Sequence, residues 1–317
     1  MATLPKYSAD AAGQPTPRNS FSMRAAYRVG GISFGLFSGP EMTPVLDPSL
    51  HHFAIEPGSC DVQIRLDWAE ELSLPASAPL FRSGGLWTLF EESGGYRFYF
   101  STPSLGPMPY KAAWFDREFR RGQVVLCRPY FDTARPICPM EYPLDELLMI
   151  HRLSRGEGVE VHGCGVVTPD GRGLLLTGHS GAGKSTSARL WLKTAGARVL
   201  SDDRIILRRE KGRVWMYGTP WHGDAGIAES ARWPLDGIFV LAQAPSNALR
   251  PLGRVEASAE LFARSFVPHH SAEAVTFILD FFSKVTSQVP CFEFSFVPDL
   301  TAVEVLLREE LGKTYAA

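Results

Sequence analysis

The chain has 317 residues, of which 45% are hydrophobic and 21% are charged, and its formal net charge is −2. This balance fits a folded protein of one large domain or two ordinary ones, and it excludes a general electrostatic attraction to nucleic acid or to an anionic membrane. No apolar run approaches the roughly 18 residues that a membrane-spanning helix needs.

The chain begins with a polar segment at residues 1–22, which is rich in Pro and Ser and lacks the apolar middle region of a secretory signal. We therefore predict a disordered tail and a cytoplasmic protein. The cysteines are widely spaced and form neither a CxxC pair nor a Cys/His cluster, so neither a zinc site nor a disulfide framework is indicated. They are Cys60, Cys127, Cys138, Cys164 and Cys291.

Residues 23–140 contain short aromatic and β-branched segments separated by Gly, Pro, Ser and Asp, which is typical of a β-rich (α+β) domain. Ser93, Gly94 and Gly95 predict the turn of a hairpin between two of these segments. The region shows no grouping of residues that suggests chemistry. Its pair His51 and His52 has no further metal ligands beside it in the sequence, so a metal role is not favoured.

The second half, residues 141–317, opens with a predicted helix at 143–153, for which Pro143 suits the first position and after which Gly156 marks a boundary. Strands and helices then alternate, which is the pattern of an α/β fold. Strands are predicted at 159–167, 173–178, 197–201, 204–210, 213–218 and 237–243, and helices at 185–194, 256–266, 272–288 and 300–311. Asp299 is the expected N-cap of the last helix.

A phosphate-binding loop lies between a predicted strand and a predicted helix of this half. Its sequence matches the pattern G-x-x-x-x-G-K-[ST] at residues 178–185. Small residues let the backbone N–H groups turn toward phosphates, Lys184 supplies charge for the β- and γ-phosphates, and the Ser185 hydroxyl can bind Mg²⁺. The residues expected to contact a nucleoside triphosphate are Gly178, Ser180, Gly181, Ala182, Gly183, Lys184, Ser185 and Thr186.

Asp202 and Asp203 directly follow the strand predicted at 197–201. An acidic residue in this position commonly provides the second Mg²⁺ contact, and an adjacent carboxylate can accept the proton of an attacking hydroxyl. If the strands at 159–167 and 173–178 are neighbours, His162 comes close to the loop and could hold or tune the aspartates. Spacing alone leaves a simple Asp-Asp turn and an ordinary strand-end histidine open as alternatives.

Three motifs in this order resemble the catalytic domain of HPr kinase/phosphorylase, and they resemble still more closely the uncharacterised kinase-like proteins related to it. The motifs are HG at 162–163, GHSGAGKS at 178–185 and SDD at 201–203. Further matches to the kinase-like relatives are GTPWHG at 218–223, GIFVLAQAPSN at 237–247 and FVPD at 296–299. The resemblance covers roughly residues 157–311 and implies a P-loop domain similar to that of phosphoenolpyruvate carboxykinase, preceded by the β-rich N-terminal domain.

The resemblance also implies roles for single residues. Lys184 and the loop amides would hold ATP. Ser185 and Asp202 would bind Mg²⁺. Asp203 would act as the base on a substrate hydroxyl, with His162 beside it, although which aspartate is base and which is metal ligand stays open.

The sequence departs from the true HPr enzymes in two places. They carry an acidic residue soon after the loop serine, where this chain has Thr186 and Ser187. They also carry an Arg/Gly-rich signature downstream, where this chain has GTPWHGDAGIAE. These departures count against phosphorylase activity and against HPr as the substrate. The family's founding members form larger assemblies, so a homo-oligomer is one expectation.

Two residues are candidates for the acceptor side. His222, together with Trp221 and Asp224, could lie in a loop at the mouth of the site, or the group could form a packing turn. Arg204 could reach a phosphate or pair with Asp202, since phosphoryl transfer depends on positioned charge. The pair at residues 269–270 is more typical of a loop than of a ligand site.

The function these motifs favour is an ATP- and Mg²⁺-dependent kinase that phosphorylates a hydroxyl, with a serine of a peptide or protein as the first candidate. A kinase of free serine or a sugar, and a nucleotide-binding regulatory module without turnover, stay open as alternatives. A pocket closed by the N-terminal half would favour a small molecule, and an open groove would favour a peptide. Decarboxylation is disfavoured because no second set of Arg and Lys for oxaloacetate is evident.

Overall fold

The structure is a computed structural model that describes residues 21–309. The predicted tail at 1–22 therefore lies almost wholly outside the described residues, as does the end of the helix predicted at 300–311. The described part is a mixed α/β structure with two large sheets. The proposed boundaries at 22/23 and 140/141 stay predictions.

The first sheet has eight strands from the β-rich half. They are β1 (Ser22–Val29), β2 (Ile32–Ser38), β3 (Val62–Ala69), β4 (Phe81–Arg82), β5 (Trp87–Glu92), β6 (Gly95–Thr102), β7 (Gly106–Asp116) and β8 (Arg121–Cys127). Their order is β1-β2-β3-β8-β7-β6-β5-β4, and only the β2–β3 and β3–β8 pairs are parallel. In β3 the side chains alternate between buried and exposed, as a strand with one covered face requires.

The hairpin predicted around Ser93 is confirmed, because β5 and β6 pair antiparallel from Trp87↔Phe100 to Glu92↔Gly95. Its turn consists of Ser93 and Gly94, and Gly94 has a φ of 82°. Gly95 belongs to the strand instead, where a Cβ would lie 1.9 Å from the Phe115 carbonyl oxygen. The two glycines therefore serve different purposes, one in the turn and one in close strand packing.

The second sheet has nine strands. They are β9 (Val159–Val167), β10 (Gly173–Thr177), β11 (Arg198–Ser201), β12 (Arg204–Glu210), β13 (Arg213–Gly218), β14 (Arg232–Pro234), β15 (Gly237–Gln243), β16 (Ala248–Pro251) and β17 (Cys291–Phe296). The order is β14-β13-β12-β9-β10-β15-β17-β16, and β11 pairs with β9 beside this path. Strands β10, β15 and β17 are parallel neighbours. The predicted adjacency of β9 and β10 is confirmed, with Thr177 opposite Gly163.

Five helices accompany the sheets in the described residues. They are α1 (Leu144–Leu153), α2 (Lys184–Leu192), α3 (Arg254–Phe262), α4 (Ala272–Thr286) and α5 (Leu300–Arg308). All five were predicted to within a few residues at either end. Two begin at side-chain caps, since Ser271 accepts a hydrogen bond from the amide of Ala274, and Asp299 accepts one from the amide of Thr301.

The second sheet is covered on both faces. One face packs against α3 and α4, and the other packs against α2 and α5. Strand β10 shows this division directly, because Leu175 belongs to the first cluster while Leu174 and Leu176 belong to the second. A central strand buried on both faces explains why its sequence is a continuous apolar run.

Helix α1 packs with the first sheet. Leu144, Leu147 and Leu148 lie in the same hydrophobic cluster as the first sheet's inner face. The cluster also takes in Ile206 and Tyr217 from the second sheet. Helix α1 therefore lies where the two sheets meet. Within residues 21–309, no helix combines the length and the apolarity needed to cross a bilayer.

Candidate functional site

The predicted phosphate loop joins the end of β10 to the start of α2. Gly181 and Gly183 have φ values of 79° and 104°, in the left-handed region that favours glycine. A Cβ on Gly183 would also lie 2.5 Å from Cζ of Phe296, so a larger residue has no room there. The side-chain amide of Gln243 donates to the Gly181 carbonyl oxygen at 2.9 Å and braces the loop. The loop thus presents its backbone at the N-terminus of a nine-residue helix, where the helix dipole favours an anion.

Lys184 is the buried cation of this loop. Its Nζ donates to the carbonyl oxygens of Gly178 at 2.9 Å and His179 at 3.0 Å. Burial, together with the charges of Arg204 and Arg264, lowers the pKa of Lys184, while the charge of Asp203 acts in the opposite direction. Lys184 and Asp203 therefore interact electrostatically.

The hydroxyls of Ser185 and Thr186 lie on the first turn of α2 and are half-buried. Ser180 is exposed at the tip of the loop, and the amide of Ala182 donates to the His179 carbonyl oxygen at 3.1 Å. The loop is therefore closed by its own hydrogen bonds before any ligand enters.

Asp203 and His162 come together beside the loop, as their order in the sequence predicts. Strands β9 and β12 pair with His162 opposite Arg204, which places Asp203, directly before the start of β12, next to the histidine. His162 Nε2 lies 2.8 Å from Asp203 Oδ1, and the amide of Gly163 donates to the Asp203 carbonyl oxygen at 3.0 Å. Burial alone would raise the pKa of Asp203, but the His162 hydrogen bond and the charges of Arg204 and Lys184 outweigh it and hold that pKa below its ordinary value.

Asp202 points the other way and is fully buried. Its Oδ1 accepts hydrogen bonds from the amides of Gly223 at 3.0 Å and Ile227 at 3.3 Å, and its Oδ2 accepts one from Ala225 at 2.9 Å. The carboxylate therefore anchors the 223–227 loop, which differs from the predicted Mg²⁺ contact. Magnesium binding by Asp202 stays a prediction, and these hydrogen bonds leave it little capacity for a metal.

This arrangement gives a stability prediction. Replacing Asp202 with Asn removes a buried charge that accepts three amides and turns an NH₂ group toward N–H donors, so we expect a loss of about 2–4 kcal/mol. The corresponding fall in Tm is about 3–6 °C for a chain of this length, measured by circular dichroism. Asp203→Asn is the comparison, with a much smaller fall expected. An unchanged Tm for Asp202→Asn combined with lost binding of Mg²⁺ and ATP would instead favour the metal role.

Arg204 does not pair with Asp202, while its contact with a phosphate stays a prediction. Its Nη1 pairs with Asp203 Oδ2, not with Asp202, and its Nε donates to Glu146 Oε1 at 2.8 Å. The guanidinium also lies 4.4 Å from the centre of the Phe266 ring. With these partners the arginine braces Asp203.

The predicted loop group at 221–224 is divided between the core and the surface. His222 and Asp224 are exposed, and His222 Nδ1 lies 3.1 Å from the Gly223 carbonyl oxygen. Trp221 is buried, and its Nε1 donates to Asp145 Oδ2 at 2.8 Å. The tryptophan is therefore a packing residue, while a role for His222 on the acceptor side stays a prediction.

Asp145, which accepts the hydrogen bond from Trp221, is a buried carboxyl group with a shifted pKa. Burial raises the pKa of Asp145 to about 7, although the hydrogen bond from Trp221 opposes the shift. The folded protein then holds a proton that the unfolded chain, with a carboxyl pKa of about 4, releases. The stabilising contribution of this group is complete below about pH 4 and is lost as the pH rises toward 7.

We therefore expect Asp145→Asn to gain stability relative to the wild type as the pH rises from about 5 to about 8, because asparagine stays neutral. The measurement is the urea midpoint of both proteins across this range. Asp170→Asn is the control, because hydrogen bonds from Thr168 and Arg172 outweigh burial and hold the Asp170 pKa low. The difference in urea midpoint between this variant and the wild type should therefore not change with pH over this range. If the urea midpoint of Asp145→Asn relative to the wild type did not change with pH, the expectation would be wrong.

Sequence reasoning missed Arg264, a buried cation beside the phosphate loop. Its Nη2 donates to His179 Nε2 at 2.9 Å, it pairs with Glu260, and its Nε has no hydrogen-bond partner among the described residues. Its carbonyl oxygen accepts the amide of His162 at 2.7 Å. No motif marks this residue, because it reaches the loop from the end of α3.

The other histidines noted in the sequence lie away from the loop. His51 and His52 are exposed in a short 3-10 helix, Pro48–Phe53. His270 stacks on His151 of α1 with ring centres 5.2 Å apart, so it packs between the two halves. The five cysteines are unpaired. Within residues 21–309, no group of three or more His, Cys, Asp or Glu side chains is arranged to hold a metal ion.

A polar cavity of about 570 Å³ lies elsewhere, between the β1–β2 turn and the β12–β13 hairpin. Its lining includes Arg28, Arg208, Glu210, Tyr217 and Arg232. None of its lining residues belongs to the phosphate loop or to the aspartate pair. The chemistry suggested by the motifs is therefore located around the carboxyl end of β10, outside this cavity.

Comparison with known proteins adds little to this geometry. No family model and no curated protein matches the chain. Among solved structures, the Hpr(Ser) kinase/phosphatase from Coxiella burnetii is similar over 47% of this chain and 88% of its own, at 17% identity and a TM-score of 0.29. A likeness this weak carries no weight for activity, so function has to be judged from the site itself.

Proposed function

We propose that this protein is an ATP- and Mg²⁺-dependent kinase that transfers the γ-phosphoryl group to a hydroxyl, namely a serine of a peptide or protein. The observation that carries the proposal is the Asp203 carboxylate, which His162 and Arg204 hold and which interacts electrostatically with Lys184 of a phosphate loop. A nucleotide site alone would not require such a base.

The donor half of the reaction is supported by the loop. Its backbone curls at Gly181 and Gly183, and the N-terminus of α2 follows directly. When a triphosphate enters, Lys184 Nζ would exchange its carbonyl partners for phosphate oxygens. Arg264 adds a second positive charge close to Lys184, which suits the charge that develops on the transferred group.

The acceptor half of the reaction is supported by the ionisation of the Asp203 carboxyl group. Since its pKa is held below the ordinary value, the carboxylate is ionised throughout the neutral range and can accept a proton. In the transfer, a bond forms between the acceptor oxygen and the γ-phosphorus, and the bond from that phosphorus to the β–γ bridging oxygen breaks. The hydroxyl proton passes to Asp203, and ADP leaves with the bridging oxygen.

Magnesium fits one part of this site. Ser185 lies on the first turn of α2 with a half-buried hydroxyl for which no hydrogen bond to a described residue is formed. It is therefore the protein group best suited to bind Mg²⁺ alongside phosphate oxygens and water. The bound ion would neutralise charge on the phosphate oxygens.

The test is a transfer assay with the full chain. The protein is incubated with MgATP and an array of serine-containing peptides, and phosphoserine is detected by mass spectrometry. Nucleotide affinity is measured in parallel by calorimetry with ATP and GTP. We expect phosphoserine with the wild type and background with Asp203→Asn, at similar ATP affinity.

Three other outcomes would overturn parts of the proposal. Transfer to free serine or a sugar, but to no peptide, would replace the peptide acceptor with a small molecule. Tight MgATP binding with neither transfer nor hydrolysis would indicate a regulatory module. Absence of nucleotide binding would remove the function altogether.

A further inference from the structure

We infer that helix α1 holds the Asp203 carboxylate in its reactive orientation through Glu146 and Arg204, which makes Glu146 a positioning residue. The inference rests on the proposed function in one respect, namely that Asp203 is the base. The arrangement of the side chains is independent of that role.

The first step concerns the two oxygens of Asp203. Oδ1 receives the hydrogen bond from His162 at 2.8 Å, and Oδ2 is paired with Nη1 of Arg204. A carboxylate held at both oxygens has its plane fixed. Because His162 belongs to β9, one side of this clamp is built into the sheet, and the other side depends on where the guanidinium lies.

The second step concerns what holds the guanidinium. Arg204 Nε donates to Glu146 Oε1 at 2.8 Å, and the planar group stacks on Phe266 at 4.4 Å. Its side chain is only 17% exposed, and that of Glu146 only 7%. An arginine bonded at two of its guanidinium nitrogens, Nε and Nη1, has little rotational freedom, so Glu146 determines the direction in which Arg204 presents Nη1 to Asp203.

A third acidic group completes the cluster. Glu160 on β9 is fully buried, and one of its oxygens lies 3.6 Å from Arg204 Nε. Burial, and then the adjacent Glu146 carboxylate, raise the pKa of Glu160 well above its usual range. Neither oxygen of Glu160 has a hydrogen-bond partner among the described residues, so Glu146 is the group that accepts the Arg204 Nε hydrogen bond.

The fourth step concerns α1 itself. Glu146 is flanked by Leu144, Leu147 and Leu148, which are fixed in the core of the first sheet. The preceding residue, Asp145, accepts the Trp221 hydrogen bond, and Trp221 leads into the loop whose amides hold Asp202. Two consecutive residues of one helix therefore connect the first sheet to the surroundings of both aspartates. This gives the N-terminal half a part in the geometry of the site.

The experiment compares Glu146→Gln with Glu157→Gln in the full chain. Glu157 is a matched control because it makes the same kind of pair at the same junction, with Arg152 at 2.7 Å and Arg208 at 2.6 Å, away from Asp203. The probe is MgATP, with water as the acceptor, so that no peptide has to be identified. Thermal unfolding of each variant shows whether it is folded.

We expect Glu146→Gln to lower kcat for phosphoryl transfer to water about 10–100-fold, since a displacement of about 1 Å at a reacting group has effects of this size. The KM for MgATP should change less than about 2-fold, and Glu157→Gln should change neither constant. Combining Glu146→Gln with Arg204→Gln should cost no more than Arg204→Gln alone, because Glu146 acts through the arginine. The inference would be overturned if the two substitutions together lowered kcat by the product of their separate effects. An unchanged kcat in a folded Glu146→Gln protein would overturn it as well.

A second measurement separates this inference from the proposed function. The proton on His162 Nε2, which forms the hydrogen bond to Asp203, is observed by NMR and identified by its absence in His162→Gln. We expect it to shift in Glu146→Gln and not in Glu157→Gln. If the wild type transfers no phosphoryl group but this shift occurs, the positioning holds and the kinase function fails. If the wild type is active and the resonance is unchanged, the positioning by Glu146 is wrong.

Discussion

Replacing Asp203 with asparagine is expected to lower the rate of phosphoryl transfer by about two to four orders of magnitude, the range that general-base catalysis contributes. Asparagine keeps the shape of the side chain but cannot accept the hydroxyl proton. Because Asp203 does not belong to the phosphate loop, ATP affinity should change little. The measurement is kcat for transfer, together with the Kd for MgATP from calorimetry.

The control for this variant is Asp280→Asn. Asp280 is an exposed aspartate that pairs with Lys284 on α4, so the substitution makes the same chemical change far from any proposed role. Both proteins should unfold at temperatures close to that of the wild type. If Asp203→Asn keeps more than about a tenth of the wild-type rate, Asp203 is not the base.

Replacing Lys184 with methionine is the second substitution with a large expected effect. Methionine preserves much of the length of this buried side chain but removes the charge that donates to the carbonyls of Gly178 and His179. We expect transfer to fall by about 10²–10³, as for the loss of a preorganised donor in a water-poor site, and MgATP binding to weaken as well. Rates at saturating MgATP and direct binding separate the two losses.

Lys193→Met provides the matched control, because Lys193 is an exposed lysine at the other end of the same helix. It should bind and transfer like the wild type. If Lys184→Met bound MgATP as tightly as Lys193→Met, the loop would not be the triphosphate site, and the central prediction from the sequence would fail.

The sequence predicted the features that depend on local rules. The six strands predicted in the second half, the Asp299 cap and the order of β9, β10 and α2 follow from short patterns, and the structure confirms them. Strands β14, β16 and β17 have no counterpart in the prediction. The closeness of His162 and Asp203, which the resemblance implied, is also found, because β9 pairs with β12 at Arg204. Binding of ATP and Mg²⁺ by these residues stays a prediction.

Long-range contacts could not be predicted in this way. Whether Asp202 or Asp203 faces the phosphate loop depends on which of the two carboxylates accepts the amides of the 223–227 segment. Glu146 looks like an ordinary polar position of an amphipathic helix, but it is buried because α1 lies between two sheets. Its partner Arg204 is 58 residues away, and no spacing rule links residues at that distance.

The opposite directions of Asp202 and Asp203 have a consequence for how natural or engineered variation would be tolerated. At Asp202, most substitutions should reduce the amount of folded protein in a cell, because three loop amides lose their acceptor. At Asp203, protein should accumulate normally while its activity disappears. A variant library scored once for abundance and once for function would therefore separate two neighbouring, chemically identical residues into two different classes.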